Sequence, residues 1–223
     1  MDKIINALES DAFQETILQS TKPHLAPYLM KLNNFDLVLF PKTFNPCYAK
    51  PALFFLKYLG IKRGDVVLDP FTGCGADAIF AIHEGASRVV ASDKFTMPFL
   101  CKKYNVEMLG LKSKIDVRQG DLFGALKKGE KFDLIVANPP FKEEKAESEI
   151  VAAIHDPHYE TLTRFFKEAR NHLKLNGRIR MVFADIGDIN FLQKLATENG
   201  FKIKIIAQTK YAFAIRIIVY EFT

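Results

Sequence analysis

The stretch Asp65-Val66-Val67-Leu68-Asp69-Pro70-Phe71-Thr72-Gly73-Cys74-Gly75 decides the fold. A short aliphatic run, Val66-Val67-Leu68, ends on an acid; two glycines follow, and an apolar helical pattern then continues to about His83. A strand, a tight turn and a helix in that order open a βαβ unit. Gly73 and Gly75 suit a turn in which the backbone passes close to a ligand and free amides point at it from a helix N-terminus.

The same alternation recurs downstream. Arg88 to Ser92 reads as a strand, with a helix from about Met97 to Leu109. Ile115–Arg118 and Phe132–Ala137 are further strands. Tyr159, Leu162, Phe166, Ala169 and Leu173 mark one helical face, which Gly177 is expected to close. A strand over Arg178 to Phe183 and a helix over Asn190 to Asn199 follow. The β-rich runs Phe201–Gln208 and Phe213–Phe222 lie too close together for a helical crossover, so they predict an antiparallel hairpin. The expected fold class is α/β: a doubly wound, mainly parallel seven-stranded sheet with a C-terminal antiparallel hairpin.

Upstream of Asp65 the pattern is different. Ile4, Ile5, Leu8, Phe13, Ile17 and Leu18 predict a helix within residues 1–20, and a second short helix is expected over Leu25 to Leu32. The prolines of Phe40-Pro41-Lys42-Thr43-Phe44-Asn45-Pro46 enforce an extended stretch. Pro51 opens a helix through Leu59, and Gly60 closes it.

Composition narrows the class. With 48% hydrophobic and 26% charged residues among 223, the chain can bury a core. It has no apolar run of about 18 residues, so no membrane partner is expected. Met1-Asp2-Lys3-Ile4-Ile5 lacks a signal layout, and a cytoplasmic location is expected. Cys47, Cys74 and Cys101 are an odd number with no Cys-x-x-Cys pair; reduced thiols and no metal site follow. The balance of 31 basic against 26 acidic residues gives +5, which permits an anionic partner without demanding one. Most of the 20 Phe and 7 Tyr rings should be core.

In a doubly wound sheet, ligands bind at the carboxyl ends of the strands. The residues there are Asp69 to Gly75, then Asp93-Lys94-Phe95, then Gly120-Asp121-Leu122-Phe123, then Asn138-Pro139-Pro140-Phe141. Each set carries an Asp or Asn together with an aromatic ring, a convergence that core packing does not explain. Asp93, 18 residues beyond Gly75, is placed to accept both hydroxyls of a ribose. Phe95 can cover an adenine face, and Asp121 can accept from its amino group. Singly, each acid reads as a helix cap and Phe123 as core; together they read as a nucleoside site.

Gly73-Cys74-Gly75-Ala76-Asp77-Ala78 also satisfies the loose fingerprint Gly-x-Gly-x-x-Ala, so a nicotinamide-dependent oxidoreductase competes. The fourth strand end separates the two. A ring-attached or amide NH₂ is a poor nucleophile because its lone pair is delocalised. If the Asn138 side-chain oxygen and the Pro139 carbonyl accept its two hydrogens, the lone pair can be aimed at a sulfonium methyl. Pro139 and Pro140 stiffen the exit from the strand, and Phe141 offers a flat face for the target. Orientation and electrostatic pre-organisation do the work, with no metal or covalent nucleophile.

At these residues the chain resembles a class I S-adenosylmethionine-dependent methyltransferase of the amino-methylating group, over about residues 40–223. The run from Asp69 to Gly75 is similar to the Asp-Pro-Phe-x-Gly-x-Gly loop of nucleic-acid amino-methyltransferases, with Phe71 in place of the first glycine of the commoner motif. Asp121 and the run from Phe132 to Phe141 resemble the HemK-like glutamine methyltransferases of release factors, which end in Asn-Pro-Pro-Tyr. The Phe form is more at home among small-domain ribosomal RNA methyltransferases. The resemblance implies that Asp69, Phe71, Gly73, Gly75, Asp93, Lys94, Phe95, Asp121 and Leu122 hold S-adenosyl-L-methionine. Asn138, Pro139, Pro140 and Phe141 would handle the target amine, with Asn138 also near the cofactor. The segment Thr43-Phe44-Asn45 stands where such enzymes contact the methionine end, Thr43 being the residue expected to make that contact.

An N-terminal helical extension and cofactor-capping segment is therefore expected over residues 1–60, and a Rossmann-like catalytic domain over 61–223. The expected substrate is an RNA base amine, with a protein glutamine as the alternative; a homodimer or a small activating subunit is compatible with the sequence. His155-x-x-His158 lacks a third ligand and reads as solvated loop. Cys74 reads as a small residue fitting beside glycines. The charged run Lys142 to Glu149 reads as a solvated loop, with closure of residues 142–157 over the substrate as the alternative.

Overall fold

The structure is a computed structural model and describes residues 15–211 and 215–223. Its strands are β1 (Tyr28–Leu32), β2 (Phe35–Leu39), β3 (Val66–Asp69), β4 (Arg88–Asp93) and β5 (Ile115–Gln119). They continue with β6 (Phe132–Ala137), β7 (Leu173–Ala184), β8 (Ile203–Tyr211) and β9 (Ile215–Phe222). The helices are α1, described over residues 15–20, α2 (Lys50–Phe55), α3 (Ala76–His83), α4 (Thr96–Met108), α5 (Glu160–Ala169) and α6 (Ile189–Glu198).

Val67, Leu68, Val89, Val90, Leu134, Ile135 and Val136 are wholly buried, as strands covered on both faces must be. They form the middle of a seven-stranded sheet in the order β5-β4-β3-β6-β7-β9-β8. Pairings from β5 through β7 are parallel, while β9 runs antiparallel to both β7 and β8. The chain steps outward from β3 to β4 and β5, then returns to β6 on the other side of β3. That reversal opens a crevice at the carboxyl ends of β3 and β6, and it brings Asp69 and Asn138 to neighbouring strand ends. Among the described residues no helix is long and apolar enough to cross a membrane.

The region before Asp65 departs from expectation. Instead of a helix over Leu25 to Leu32, β1 and β2 form an antiparallel hairpin with Leu32 opposite Phe35. Asn33 takes the left-handed conformation (φ 51°) that the two-residue connection needs. Met30, Leu32, Leu37 and Leu39 then alternate inward into the core. Of the stripe expected in residues 1–20, residues 15–20 are helical; Ile4, Ile5, Leu8 and Phe13 lie outside the described residues. Helix α2 stops at Phe55, short of Leu59.

Gly177 does not close a helix. Helix α5 ends at Ala169, a 3-10 turn covers Arg170–His172, and Gly177 lies inside β7. A Cβ there would sit 2.9 Å from the Phe132 carbonyl oxygen, so close approach to β6 explains the glycine.

One buried amide joins the hairpin to the sheet. Asn105 on α4 accepts from the Val38 amide (2.8 Å) and donates to the carbonyls of Val38 (3.0 Å) and Cys74 (2.9 Å). The N-terminal hairpin is thus fastened to the glycine loop itself.

Candidate active site

The crevice is an open cleft with about 990 Å³ of empty space, open solvent at its mouth included. From β3 it takes Pro70, Phe71 and Gly73; from β4, Asp93, Lys94 and Phe95; and after β5, Asp121 and Leu122. Asn138, Pro140 and Phe141 line it from the end of β6. The structure therefore brings most of the sequence-predicted residues to one place. Thr43, Asp69, Gly75 and Pro139 are not on its wall; Thr43 and Asp69 are buried behind it, and Phe44 lines it where Thr43 was expected.

The glycine loop is shaped for close approach. Gly73 and Gly75 have φ of 51° and 94°, which only glycine adopts cheaply. A Cβ on Gly73 would meet no atom within 4 Å, whereas one on Gly75 would press on Lys102 Cβ at 3.2 Å. Gly75 precedes α3 and supplies no side-chain cap, so the first amides of that helix are uncapped by it. The Phe71 ring leans on Phe165 with centroids 5.8 Å apart.

Asp93 ties the loop to β4. One carboxylate oxygen accepts from the Gly73 amide and the other from the Phe95 amide, both at 3.1 Å. Its second lone pairs remain for ligand hydroxyls. Burial raises its pKa, and Lys102 chiefly opposes that. Lys94 lies over the Phe95 ring at 4.9 Å.

Asp69 is wholly buried, and burial pushes its carboxyl up to about 7 against the pull of Thr72, the Phe71 amide and Lys102. Its Oδ1 accepts from the Phe71 amide at 3.4 Å. Oδ2 is left without a strong hydrogen bond among the described residues, with the Thr72 hydroxyl nearby. Leu122, buried at φ 48°, holds its backbone in a region costly for a leucine, a local strain of the kind found at ligand sites. Asp121 is paired with Arg164 of α5 at 2.7 Å. Phe123 is core, stacked on His172 at 4.7 Å.

At the end of β6, Asn138 lines the cleft, and its side-chain amide makes no hydrogen bond among the described residues. Phe141 is held by an edge contact with Phe183 (5.8 Å) and by its own amide donating to the Ile154 carbonyl. The segment after it is not a free loop. The amides of Phe141 and Lys142 both donate to Ile154, and the Asp156 amide donates to Lys142, folding Ala152 to Ile154 into the cleft wall. The buried Asp156 carboxylate then takes the Thr161 and Leu162 amides, each at 2.9 Å, and caps α5.

The far wall was expected only as the segment Thr43-Phe44-Asn45 within a capping region; its other residues carried no signal. Ile17 and Ser20 of α1, together with Phe44, Ala49, Pro51 and Ala52, close the cleft opposite the strand ends. Asn45 organises this wall: its amide nitrogen donates to the Ser20 carbonyl, and its side chain reaches the Tyr28 hydroxyl and the Cys47 amide. Its place in Phe44-Asn45-Pro46 was the available signal, since Asn before a 3-10 turn caps the amide two residues on.

The methyltransferase small domain family model matches residues 50–212, well over half of the chain. The chain belongs to the methyltransferase small domain family. The cofactor of this class I group is S-adenosylmethionine, and the residues fit it: an open glycine loop, a buried Asp69 carboxylate with acceptor capacity to spare, and an acid at each of the next two strand ends.

This family member is 33% identical over 139 residues to the ribosomal protein L11 methyltransferase of Lactobacillus johnsonii, covering 62% of this chain and 38% of that protein. It is 26% identical over 167 residues to a release factor glutamine methyltransferase of Leptospira interrogans, covering 70% and 58%. With the tRNA1(Val) (adenine(37)-N6)-methyltransferase of Glaesserella parasuis it shares 31% over 122 residues, covering 52% and 50%. The chain thus spans between about a third and three fifths of these relatives. Among solved structures, the Thermus thermophilus 16S rRNA N2 G1207 methyltransferase in complex with AdoMet and guanosine superimposes with a TM-score of 0.64 at 22% identity, covering 90% of this chain and 51% of that one. That likeness shows the shared fold.

Proposed function

We propose that the chain transfers a methyl group from S-adenosylmethionine to a planar nitrogen, the exocyclic amine of a base in RNA. The observation that carries this reading is Asn138: an amide that lines the cleft, has no side-chain partner among the described residues, and is followed directly by two stiffening prolines and an aromatic ring. When bound, the cofactor supplies a methyl carried on a sulfonium. Asn138 and the Pro139 carbonyl would accept the two amine hydrogens, turning the nitrogen lone pair out of conjugation. Phe141 and the apolar far wall of Ile17, Phe44, Pro51 and Ala52 suit a flat, neutral ring and keep water from it.

The capping role of the segment before residue 61 belongs to the same proposal, since α1 and Phe44 complete the cleft. A glutamine amide of a protein is the second reading, supported by the release factor relative. Both use the same two acceptors and differ in the partner presented. Incubating the protein with labelled methyl donor and an extract from cells lacking it, then digesting with nuclease or protease, separates them. Label lost to nuclease supports RNA. Label lost only to protease assigns the glutamine reading instead.

A further inference from the structure

Beneath the glycine loop lies a charge that neither the fold nor the proposed chemistry has used. Lys102 of α4 is wholly buried, and its Nζ has no hydrogen-bond partner. Its stem packs behind Gly75, and its ammonium sits 5.5 Å from the Phe99 ring centroid. A buried ammonium without a hydrogen-bond partner costs several kcal/mol unless opposite charge lies nearby, so packing behind Gly75 alone does not account for a lysine here.

Its surroundings do. Asp69 at the end of β3 and Asp93 at the end of β4 both act on it electrostatically, as does Cys101 beside it on α4. Asp77, in the first turn of α3 behind the loop, is wholly desolvated and raised further by Asp69. Lys94 acts on Asp93 from the solvent side, and the buried Cys74 thiol is pushed well up by burial. Asp93 thus holds the Gly73 amide, Asp69 the Phe71 amide and Lys102 the back of Gly75, with Asp69 Oδ2 and Lys102 Nζ both lacking a hydrogen bond among the described residues.

We propose that Lys102 is a positioning residue of the cofactor site, the inner counter-charge that eases the ionisation of Asp69 and Asp93 and sets them for a cationic ligand. The inference rests on the S-adenosylmethionine reading of the cleft and adds a residue outside its wall. Burial holds Asp69 at about 7 and lowers Lys102 to about 8, so the cluster exchanges protons near neutrality. A ligand bearing a sulfonium and an ammonium favours the charged carboxylates, and its binding should drive protons off the cluster. Without Lys102 the carboxylates hold their protons to higher pH, and binding then needs a more alkaline solution.

The test uses the full chain, wild type and Lys102→Met, titrated calorimetrically with S-adenosylmethionine from about pH 6 to about pH 9 in buffers of different ionisation heat. Wild type should release protons on binding. Lys102→Met should match wild type in unfolding temperature at acid pH, where the carboxylates carry protons, bind about tenfold or more weakly at neutral pH, and recover affinity as the pH is raised. Equal affinity in both proteins across the range would overturn the proposal and leave Lys102 as filler behind Gly75. If the variant does not fold, wild-type binding without proton exchange overturns it equally. A wild type that binds the ligand at no pH removes the cofactor reading itself, and this inference with it.

Discussion

A methyl group on Gly187 would collide with the Phe141 carbonyl oxygen, so the turn after β7 touches the Asn138 to Phe141 run backbone to backbone. The same methyl would meet the Phe183 ring at 2.8 Å, and Phe183 is the ring that steadies Phe141. Gly187→Ala should therefore push Phe141 and its Ile154 tether away from the cleft. Overpacking of this kind costs about 1–3 kcal/mol. The expected outcome is a lower unfolding midpoint and a strong loss of turnover, with cofactor affinity close to wild type. Denaturant unfolding, calorimetry and a single-turnover assay on one preparation check it. Full turnover in the variant would show that Phe141 has room to move.

Much of this was legible before any coordinates. The continuous apolar runs of β3, β4 and β6 announce strands buried on both faces, and the acids and Asn138 at their ends announce the crevice. What stayed hidden is tertiary. Asn33-Asn34 was a hairpin signal, but Leu25 to Leu32 also fits a helical stripe, and only burial of Met30, Leu32, Leu37 and Leu39 against the sheet decides it. Gly177 looks like a helix stop until β6 is beside it. Lys102 and Gly187 carry no local pattern, because their importance comes from strands far away in sequence.

Asp69 gives a prediction about pH. Its folded-state value of about 7 lies above the ordinary 3.8, so the native protein binds this proton more tightly than the unfolded chain does. Native stability from this group is then present at acid pH and is lost as the pH rises toward about 7. Asp69→Asn removes the loss. In the absence of cofactor the variant should match wild type near pH 4 and gain on it by up to about 1.4 kcal/mol per pH unit, levelling above neutrality. Denaturant melts at a series of pH values read this directly. A gap that does not change with pH would show that the carboxylate is ionised without cost.

Arg164 and Asp121 form an ion pair whose side chains are 42% and 43% exposed, a setting in which such pairs add about 0–1 kcal/mol to stability. Arg164 engages only Oδ2 of Asp121, which leaves Oδ1 as an acceptor for an adenine amino group. Arg164→Ala should leave the unfolding midpoint almost unchanged while weakening cofactor binding by up to about tenfold. Arg164→Lys, keeping the charge but not the planar fork, should fall between the two. Affinity equal to wild type in both variants would detach Asp121 from the adenine.

Asn138→Ala is the sharpest test of how the cleft is divided. The residue stands at the end of β6, across the switch point from the loop that Asp93 organises, and its amide is committed to no other side chain. Its proposed bond to the target amine strengthens as the nitrogen leaves conjugation, so its contribution belongs to the transition state. Removing one pre-organised partner of that kind costs about 10²–10³ in rate. Cofactor binding does not use the bond and should scarcely change. Single-turnover rate and cofactor affinity, measured on the same variant, separate the two roles. A variant that binds cofactor poorly but methylates at the wild-type rate once saturated would move Asn138 to the cofactor side. Asn138→Asp keeps an acceptor while adding a charge in a largely apolar cleft, so an intermediate rate is expected, and it should fall further as the new carboxylate ionises.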